Sequence, residues 1–261
     1  MADLRHHSPG NNKFGTYLLA QSNLPGKRGN LELAFAFAEY IEEQYPVNPE
    51  RAWSFCEALI TENPPRKNFT GAEEFLPFCG VLGLGRIGST DPAREPDALI
   101  YVKSAACDER WRIREAAAMA IQDLMDVRPE ATIAILQGWI QEDSYLLHRA
   151  IAAGVAEPRF MKNLEIARYA LELHKAILEN VAREPDKRDP DYLVLVKGLC
   201  YTLSVVITGI EQEGFAYLED LLAKDHPVTQ KIVRENLKKK RLMRLNAKKV
   251  AGLQQKLSNA N

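Results

Sequence analysis

Apolar residues recur along the chain at the spacing of helix faces. Residues 31–45 (LELAFAFAEYIEEQY) and 49–60 (PERAWSFCEALI) are apolar runs joined by PVN, and residues 109–125 and 129–141 form a second such pair. Proline and asparagine separate the runs, and the alternation of apolar and polar residues that is typical of strands is almost absent. We therefore predict an all-α chain that is helical from residue 31 to residue 258 and has no sheet.

The helical period is clearest within residues 109–125. Five apolar positions fall on one stripe of that helix: Ile113, Ala117, Ala120, Ile121 and Leu124. Arg110, Arg114, Glu115 and Asp123 fall outside the stripe, which is the pattern of an amphipathic helix.

An internal repeat indicates how the helices are arranged. Four aspartates are each followed by an apolar residue three positions later and a basic residue six positions later: Asp108, Asp143, Asp191 and Asp225. Their separations of 35, 48 and 34 residues match the length of a helix hairpin. Each aspartate could cap the second helix of its hairpin, and each basic residue could reach an acid of the adjacent hairpin. The repeat predicts a right-handed α-α superhelix, a solenoid of the HEAT or armadillo type.

Charge is distributed unevenly along the chain. The formal net charge of −1 combines +9 from residue 226 onward, where there are ten Lys or Arg and one acid, with −10 in the rest. We expect an N-terminal extension over residues 1–29 that is partly flexible, a HEAT-like repeat domain over 30–245, and a basic C-terminal cap helix and tail over 246–261. In that tail, Asn246 could cap a last helix whose apolar side is formed by three residues: Val250, Leu253 and Leu257.

Cysteine usage and the lack of targeting signals bear on the compartment. Cys56, Cys79, Cys107 and Cys200 form no CxxC pair and have no histidine at metal-ligand spacing. We interpret them as small buried hydrophobic residues in a reducing compartment. The sequence shows no signal-peptide core and no run of about 18 apolar residues. We expect a cytoplasmic protein that has no bound metal, no cofactor and no membrane partner.

The sequence GLGRIG has two interpretations. Gly83, Gly85 and Gly88 have the spacing of a dinucleotide-binding loop, which would require a preceding strand such as FLPFCGVL. No βαβ pattern surrounds the segment, so we favour the second interpretation, in which the glycines let two helices approach closely.

Several segments resemble a known family. Residues 109–124 (ERWRIREAAAMAIQDL), 136–159 (LQGWIQEDSYLLHRAIAAGVAEPR) and 217–242 (YLEDLLAKDHPVTQKIVRENLKKKRL) are similar to the HEAT-like DNA alkylation-repair proteins, in particular to the C-type alkylpurine DNA glycosylases. Residues 29–41 (GNLELAFAFAEYI) resemble the first helix of that family. The resemblance covers most of the chain and implies a HEAT-like fold.

The motif of that family contains a tryptophan, an acidic pair, two arginines and a Glu-Gly pair. Four positions match it: Trp139, Asp143, Arg149 and Gly154. His148 stands in place of the first arginine, although a lone histidine near a helix start is more often structural than a proton donor. The closing tryptophan of the family falls among residues 160–162, which contain none.

The functional glutamate of the family falls on Ala153. A methyl group cannot stabilise a cationic leaving purine or orient a water molecule. The resemblance therefore implies a relative without glycosylase chemistry, unless Glu115 or Glu157 supplies the carboxylate.

Basic and aromatic residues suggest where a nucleic acid could bind. Trp111 could stack on a base or sugar while Arg112 and Arg114 bind phosphates, or it could pack between repeats. The remaining candidate contacts are basic: Arg149, Arg159, Lys238, Lys239, Lys240, Arg241, Arg244, Lys248 and Lys249. The lysines and arginines of the tail suit either a solvated helix end or phosphate contacts.

We therefore expect a non-catalytic HEAT-like binding scaffold. Its partner is a protein, or duplex DNA bound through a basic face without sequence preference and in a salt-dependent manner. The alternative is a DNA glycosylase that excises N-alkylated purines in base excision repair. A nucleotide-dependent enzyme that uses Gly83, Gly85 and Gly88 is a more distant alternative.

Overall fold

Every regular element of the described chain is helical. A computed structural model of the protein describes residues 13–65, 71–183, 188–224 and 226–259, and within these ranges it contains α-helices and two short 3₁₀ turns but no strand. The all-α prediction is confirmed.

The helices form two compact units, Met1–Arg128 and Pro129–Asn261. The first unit contains α1 (Lys13–Ala20), α2 (Leu31–Gln44), α3 (Pro49–Thr61), α4 (Phe75–Thr90), α5 (Glu95–Ala106) and α6 (Trp111–Val127). The second unit contains α7 (Pro129–Ile140), α8 (Tyr145–Val155), α9 (Leu164–Arg183), α10 (Pro190–Ile207), α11 (Glu211–Ala223), α12 (Pro227–Leu237) and α13 (Lys240–Asn259). The division falls inside the single repeat domain expected over residues 30–245.

The helices predicted from the apolar period are confirmed within two residues at each end. In α6 the whole predicted stripe is buried: Ile113, Ala117, Ala120, Ile121 and Leu124. Asp123 lies outside the stripe but is only 9% exposed, because its carboxylate pairs with Arg86 of α4 at 3.1 Å. The buried surface of α6 is therefore wider than the predicted apolar stripe.

Helix α1 lies within the segment expected to be an N-terminal extension. Leu18 is fully buried, and the ring of Phe14 stacks on Phe37 of α2 with centroids 5.9 Å apart. Residues 13–20 therefore belong to the packed first unit. The first twelve residues lie outside the described residues.

Helix α4 is the central helix of the first unit. Fourteen of its sixteen residues are buried, and it packs against α2, α3, α5 and α6. GLGRIG lies inside this helix, so the nucleotide-loop interpretation is wrong and the helix-packing interpretation is confirmed. A Cβ at Gly83 would lie 2.5 Å from Cys56 Sγ, and one at Gly88 would lie 2.6 Å from Ala98 Cβ. The glycines allow neighbouring helices to approach α4 at distances that a side chain would prevent.

We predict opposite effects for the same substitution in two helices. A Cβ at Gly85 would lie 2.5 Å from the Cβ of Ala120, so Gly85→Ala should destabilise the protein by about 1–2 kcal/mol through overpacking. A Cβ at Gly138 of α7 would meet no atom beyond the adjacent backbone of its own helix within 4 Å in the described chain, so Gly138→Ala should stabilise the protein by up to about 1 kcal/mol through helix propensity. Urea denaturation measures both changes. Equal stabilisation by the two variants would contradict the packing described for α4.

The capping role expected for the repeated aspartates is wrong at the positions that the structure describes. Helix α8 is capped by Ser144, one residue after Asp143. Helix α10 is capped by Asp189, so Asp191 lies inside its first turn. Asp225 lies outside the described residues. A helix nevertheless begins within three residues of every repeated aspartate.

Asp108 orders the loop before α6 instead of capping the helix. Its Oδ1 accepts a hydrogen bond from the backbone N of Arg110 at 2.8 Å, and its Oδ2 pairs with the Arg110 guanidinium at 2.7 Å. Arg114 donates to the carbonyl oxygens of Asp108 and Glu109 at 2.6 and 2.9 Å. The basic residue of this repeat thus ties α6 to the loop that precedes it.

Alternate helices contact each other within each unit. In the first unit α4 packs on both α2 and α6; in the second, α10 packs on both α8 and α12, and α7 packs on α9. Side chains of the second unit also connect these helices, since buried Asn236 of α12 hydrogen-bonds to α10.

Helix α10 is apolar enough, by length and composition alone, to cross a membrane, which the sequence analysis did not anticipate. In this fold 56% of it is buried, and it packs on α8, α9 and α12. A packed core helix meets the same criterion, so the cellular location of the protein stays a prediction.

The four cysteines do not share one environment. Cys56, Cys79 and Cys200 are buried, whereas Cys107 is exposed, so the expectation of a buried thiol is wrong for Cys107. Burial raises the pKa of the Cys56 and Cys79 thiols above the ordinary value.

Candidate functional site

The C-terminal helix carries a dense run of positive charge. From residue 238 to residue 259 the sequence has eight Lys or Arg and no Asp or Glu. The first seven are called the basic surface below: Lys238, Lys239, Lys240, Arg241, Arg244, Lys248 and Lys249. All seven were candidate contacts in the sequence analysis.

Apolar residues fix α13 to the second unit. It packs on α10, α11 and α12 through four buried side chains: Leu242, Val250, Leu253 and Leu257. Asn246 interrupts the helix with φ −156° and ψ 88°, and its Oδ1 accepts a hydrogen bond from Lys249 N at 2.9 Å. Its Nδ2 donates to Glu211 of α11 at 2.7 Å. The predicted Asn246 cap and the apolar side of the last helix are confirmed.

Some cations of the basic surface are held by the protein and others are not. Lys238 pairs with Glu235 at 2.5 Å, and this hydrogen bond lowers the pKa of Glu235 below its ordinary value. Lys249 lies over the ring of Phe215 at 5.3 Å. Three cations are exposed and have no hydrogen-bond or ion-pair partner within the described part of the chain: Lys240, Arg244 and Lys248. These three are available to an external anion.

Tyr201 of α10 contacts two other cations of the basic surface, Lys239 and Arg241. Its side chain is 49% exposed, and the Arg241 guanidinium lies over its ring at 4.5 Å and donates to its hydroxyl at 2.6 Å. Lys239 lies 5.7 Å from the same ring. The cation–π contact and the hydrogen bond hold the Arg241 guanidinium in place on this ring. Tyr201 was not predicted as a contact from the sequence, because a tyrosine within an apolar helix resembles a core residue.

A pocket in the first unit brings together three other candidates. Trp111, Arg112 and Glu115 of α6 line a pocket of about 360 Å³. Trp111 is 50% exposed, and the Arg112 guanidinium lies over its ring at 4.6 Å. Arg112 also pairs with buried Glu74 at 3.0 Å and donates to the Gly26 carbonyl at 3.0 Å. Trp111 is thus part of a pocket wall.

The candidates that remain are held by neighbouring side chains. Arg149 is half-buried, and its aliphatic stem packs against α10. A Cβ added at Gly198 of α10 would lie 3.5 Å from the Arg149 Cγ. Arg159 pairs with Glu157 at 3.4 Å and lies over the ring of Phe160 at 4.8 Å. Glu157, one of the two candidate catalytic carboxylates, is therefore partly neutralised by Arg159, a candidate nucleic-acid contact.

The positions of the glycosylase motif differ in burial: Gly154 is buried, Arg149 is half-buried and Asp143 is exposed. Trp139 is 8% exposed and His148 is 4% exposed. His148 Nε2 donates to the Ile140 carbonyl at 3.0 Å, and burial lowers the pKa of this histidine. Ala153 is half-buried on α8. Trp139 and His148 thus belong to the packed interior of the second unit, as expected for a structural histidine.

No group of three or more His, Cys, Asp or Glu suited to a metal ion occurs within the described ranges. A scan against protein-family models finds no match to the chain, and a search of the curated proteins finds none either.

Proposed function

We propose that the protein is a non-catalytic helical-repeat scaffold that binds duplex DNA through the basic surface of α13. The observation that carries this proposal is the set of exposed cations Lys240, Arg244 and Lys248, which have no hydrogen-bond or ion-pair partner among the described residues. Cations at a helix end stabilise the helix dipole, but this effect fades within the last turn. Asn246 divides α13 into two helical pieces, and Lys240 and Lys248 lie in the first turns of these pieces, where a cation opposes the helix dipole, so capping does not account for them. Arg244 lies in the last turn of the first piece.

The helices of each unit are proposed to stack as HEAT-like hairpins. Contacts between alternate helices support this, since a stack of hairpins places the second helix of one hairpin against that of the next. The helix starts near the four repeated aspartates support it as well. This arrangement agrees with the resemblance to HEAT-like DNA alkylation-repair proteins.

The chemistry of the basic surface favours the phosphate backbone over base edges. Lysine is a flexible point charge, and contacts of this kind position a duplex without reading its sequence. Each neutralised phosphate releases condensed counterions, so binding of this kind weakens steeply as salt rises.

The non-catalytic part of the proposal rests on the position that matches the glutamate of the glycosylase motif. That position is Ala153, and Glu157 nearby in sequence is paired with Arg159. Glu115 is the other carboxylate candidate, and it lies in the wall of the first-unit pocket.

We expect salt-sensitive binding without base release. With three phosphate contacts, the affinity for a fluorescent duplex should fall about 40-fold between 50 and 200 mM salt. The reason is that log affinity falls against log salt with a slope of about 0.9 per phosphate contact. Fluorescence anisotropy measures the affinity. Incubation with methylated DNA, followed by chromatography of the supernatant, should detect no free 3-methyladenine or 7-methylguanine.

Two results would contradict the proposal in different ways. Base release that is abolished by Glu115→Gln would identify a glycosylase. Absence of duplex binding at 50 mM salt would remove DNA as the partner and leave a protein in that role.

A further inference from the structure

The pocket of the first unit has an apolar interior. The rings of Phe75 and Phe78 lie nearly parallel, with centroids 6.2 Å apart and an interplanar angle of 4°, and both side chains are buried. Leu31 and Met119 add aliphatic surface, and Trp111 forms an exposed aromatic wall. These side chains suit a flat, apolar body in a volume of about 360 Å³.

The charged groups of the pocket favour an anion. Lys27 and Arg28 line it, are exposed, and have no ion-pair partner among residues that the structure describes. Arg112 is paired with Glu74 through its Nη1, but its Nε is buried and has no hydrogen-bond partner within the described ranges. Counting Glu74 and Glu115 as negative, the pocket has a net charge of +1.

The backbone around the pocket also favours a negatively charged ligand. Leu31, Phe75 and Trp111 all line it, and they are the first residues of α2, α4 and α6. The N-terminus of a helix carries a partial positive charge and unpaired backbone N–H groups. Helix α4 continues the 3₁₀ turn Ala72–Glu74, whose Ala72 carbonyl accepts from Phe75 N, so two positive helix ends, those of α2 and α6, contribute at this pocket.

From these three features, we propose that the pocket binds a small organic anion of the aromatic carboxylate class. The aromatic body contacts Phe75, Phe78 and Trp111, and the carboxylate lies toward Lys27 and Arg28. This ligand site is in the first unit and is separate from the basic surface proposed to bind DNA.

Two probes of nearly identical shape test the charge requirement. Isothermal titration calorimetry of the full chain should show that naphthalene-2-carboxylate binds at least tenfold more tightly than naphthalene-2-carboxamide. The double variant Lys27→Ala/Arg28→Ala should lose most of that advantage while leaving the affinity for the amide within twofold. The double variant Lys162→Ala/Lys224→Ala, at two exposed lysines of the second unit that do not line the pocket, is the matched control and should leave both affinities unchanged.

A second variant tests the apolar wall. Trp111→Ala should weaken both probes about tenfold, and folding should persist because the side chain is half exposed. The proposal is overturned if neither probe binds, if the amide binds as tightly as the carboxylate, or if the cation 3-methyladeninium binds more tightly than either.

Discussion

Acidification from pH 7 to pH 4 should lower the free energy of unfolding by about 3 kcal/mol through His174 alone. His174 of α9 is fully buried, and burial lowers its pKa from 6.5 to about 4. Its Nδ1 donates to the Ala170 carbonyl at 2.7 Å, so the neutral ring accepts a hydrogen bond at Nε2 from the Thr202 hydroxyl at 2.9 Å. Protonation of Nε2 would remove that acceptor and place a charge in the core.

The direction of the pH effect follows from which state binds more protons. Below pH 6.5 the histidine of the unfolded chain is protonated while that of the folded chain stays neutral, so the unfolded state gains stability as pH falls. The folded state therefore has its full stability above pH 6.5 and loses it progressively toward pH 4. A pKa difference of one unit corresponds to about 1.4 kcal/mol, which gives the expected loss of about 3 kcal/mol.

Urea denaturation at a series of pH values measures this effect. The fall in unfolding free energy between pH 7 and pH 4 should be about 3 kcal/mol smaller for His174→Gln than for the natural chain. Burial also lowers the pKa of His148, and that contribution is common to both proteins. The imidazole proton resonance of His174 in the natural chain gives a second readout, and a midpoint near pH 6.5 would contradict the prediction.

Replacement of Asn236 by leucine should destabilise the protein by about 3 kcal/mol. Asn236 of α12 is fully buried, and its Nδ2 donates to the carbonyls of Leu199 and Ile232, each at 2.8 Å. Its Oδ1 accepts from the backbone N of Ser204 at 2.8 Å. Leucine has a similar volume but makes none of these bonds, and each contributes about 1 kcal/mol.

Chemical denaturation of Asn236→Leu measures the loss. Gln254→Leu on the exposed side of α13 is the matched control, since it exchanges the same kinds of groups at the surface and should change stability by less than about 0.5 kcal/mol. Similar effects for the two variants would mean that the hydrogen bonds of Asn236 do not stabilise the contact between α10 and α12.

The period of apolar residues was sufficient to predict the helices, but not what surrounds them. In α6 the stripe from Ile113 to Leu124 is buried as predicted, yet Asp123 is also covered, because Arg86 of a different helix neutralises it. The aspartate repeat located helix starts correctly, but Ser144 and Asp189 provide the caps. Several nearby side chains can accept hydrogen bonds from the same backbone N–H groups, so a local sequence pattern does not determine which side chain caps the helix.

The two candidate sites differ in how much of them the sequence could reveal. The basic surface is nearly contiguous in sequence, so a charge count locates all seven of its residues, but not Tyr201 of α10, which two of them contact. The pocket is assembled from the loop with Lys27 and Arg28, from the start of α4 and from the start of α6. Trp111, Arg112 and Glu115 were identified individually, but their common pocket depends on packing between helices that are distant in sequence.

The salt dependence of duplex binding by a charge-removal variant tests the proposed function most directly. In the triple variant Lys240→Gln/Arg244→Gln/Lys248→Gln, the slope of log affinity against log salt should become shallower by about 2.7, because three phosphate contacts are lost. A triple variant at three other exposed cations of the second unit removes the same charge: Lys162→Gln/Arg183→Gln/Lys224→Gln. It should keep the slope of the natural chain, whereas equal slopes for the two triple variants would contradict DNA binding at the basic surface of α13.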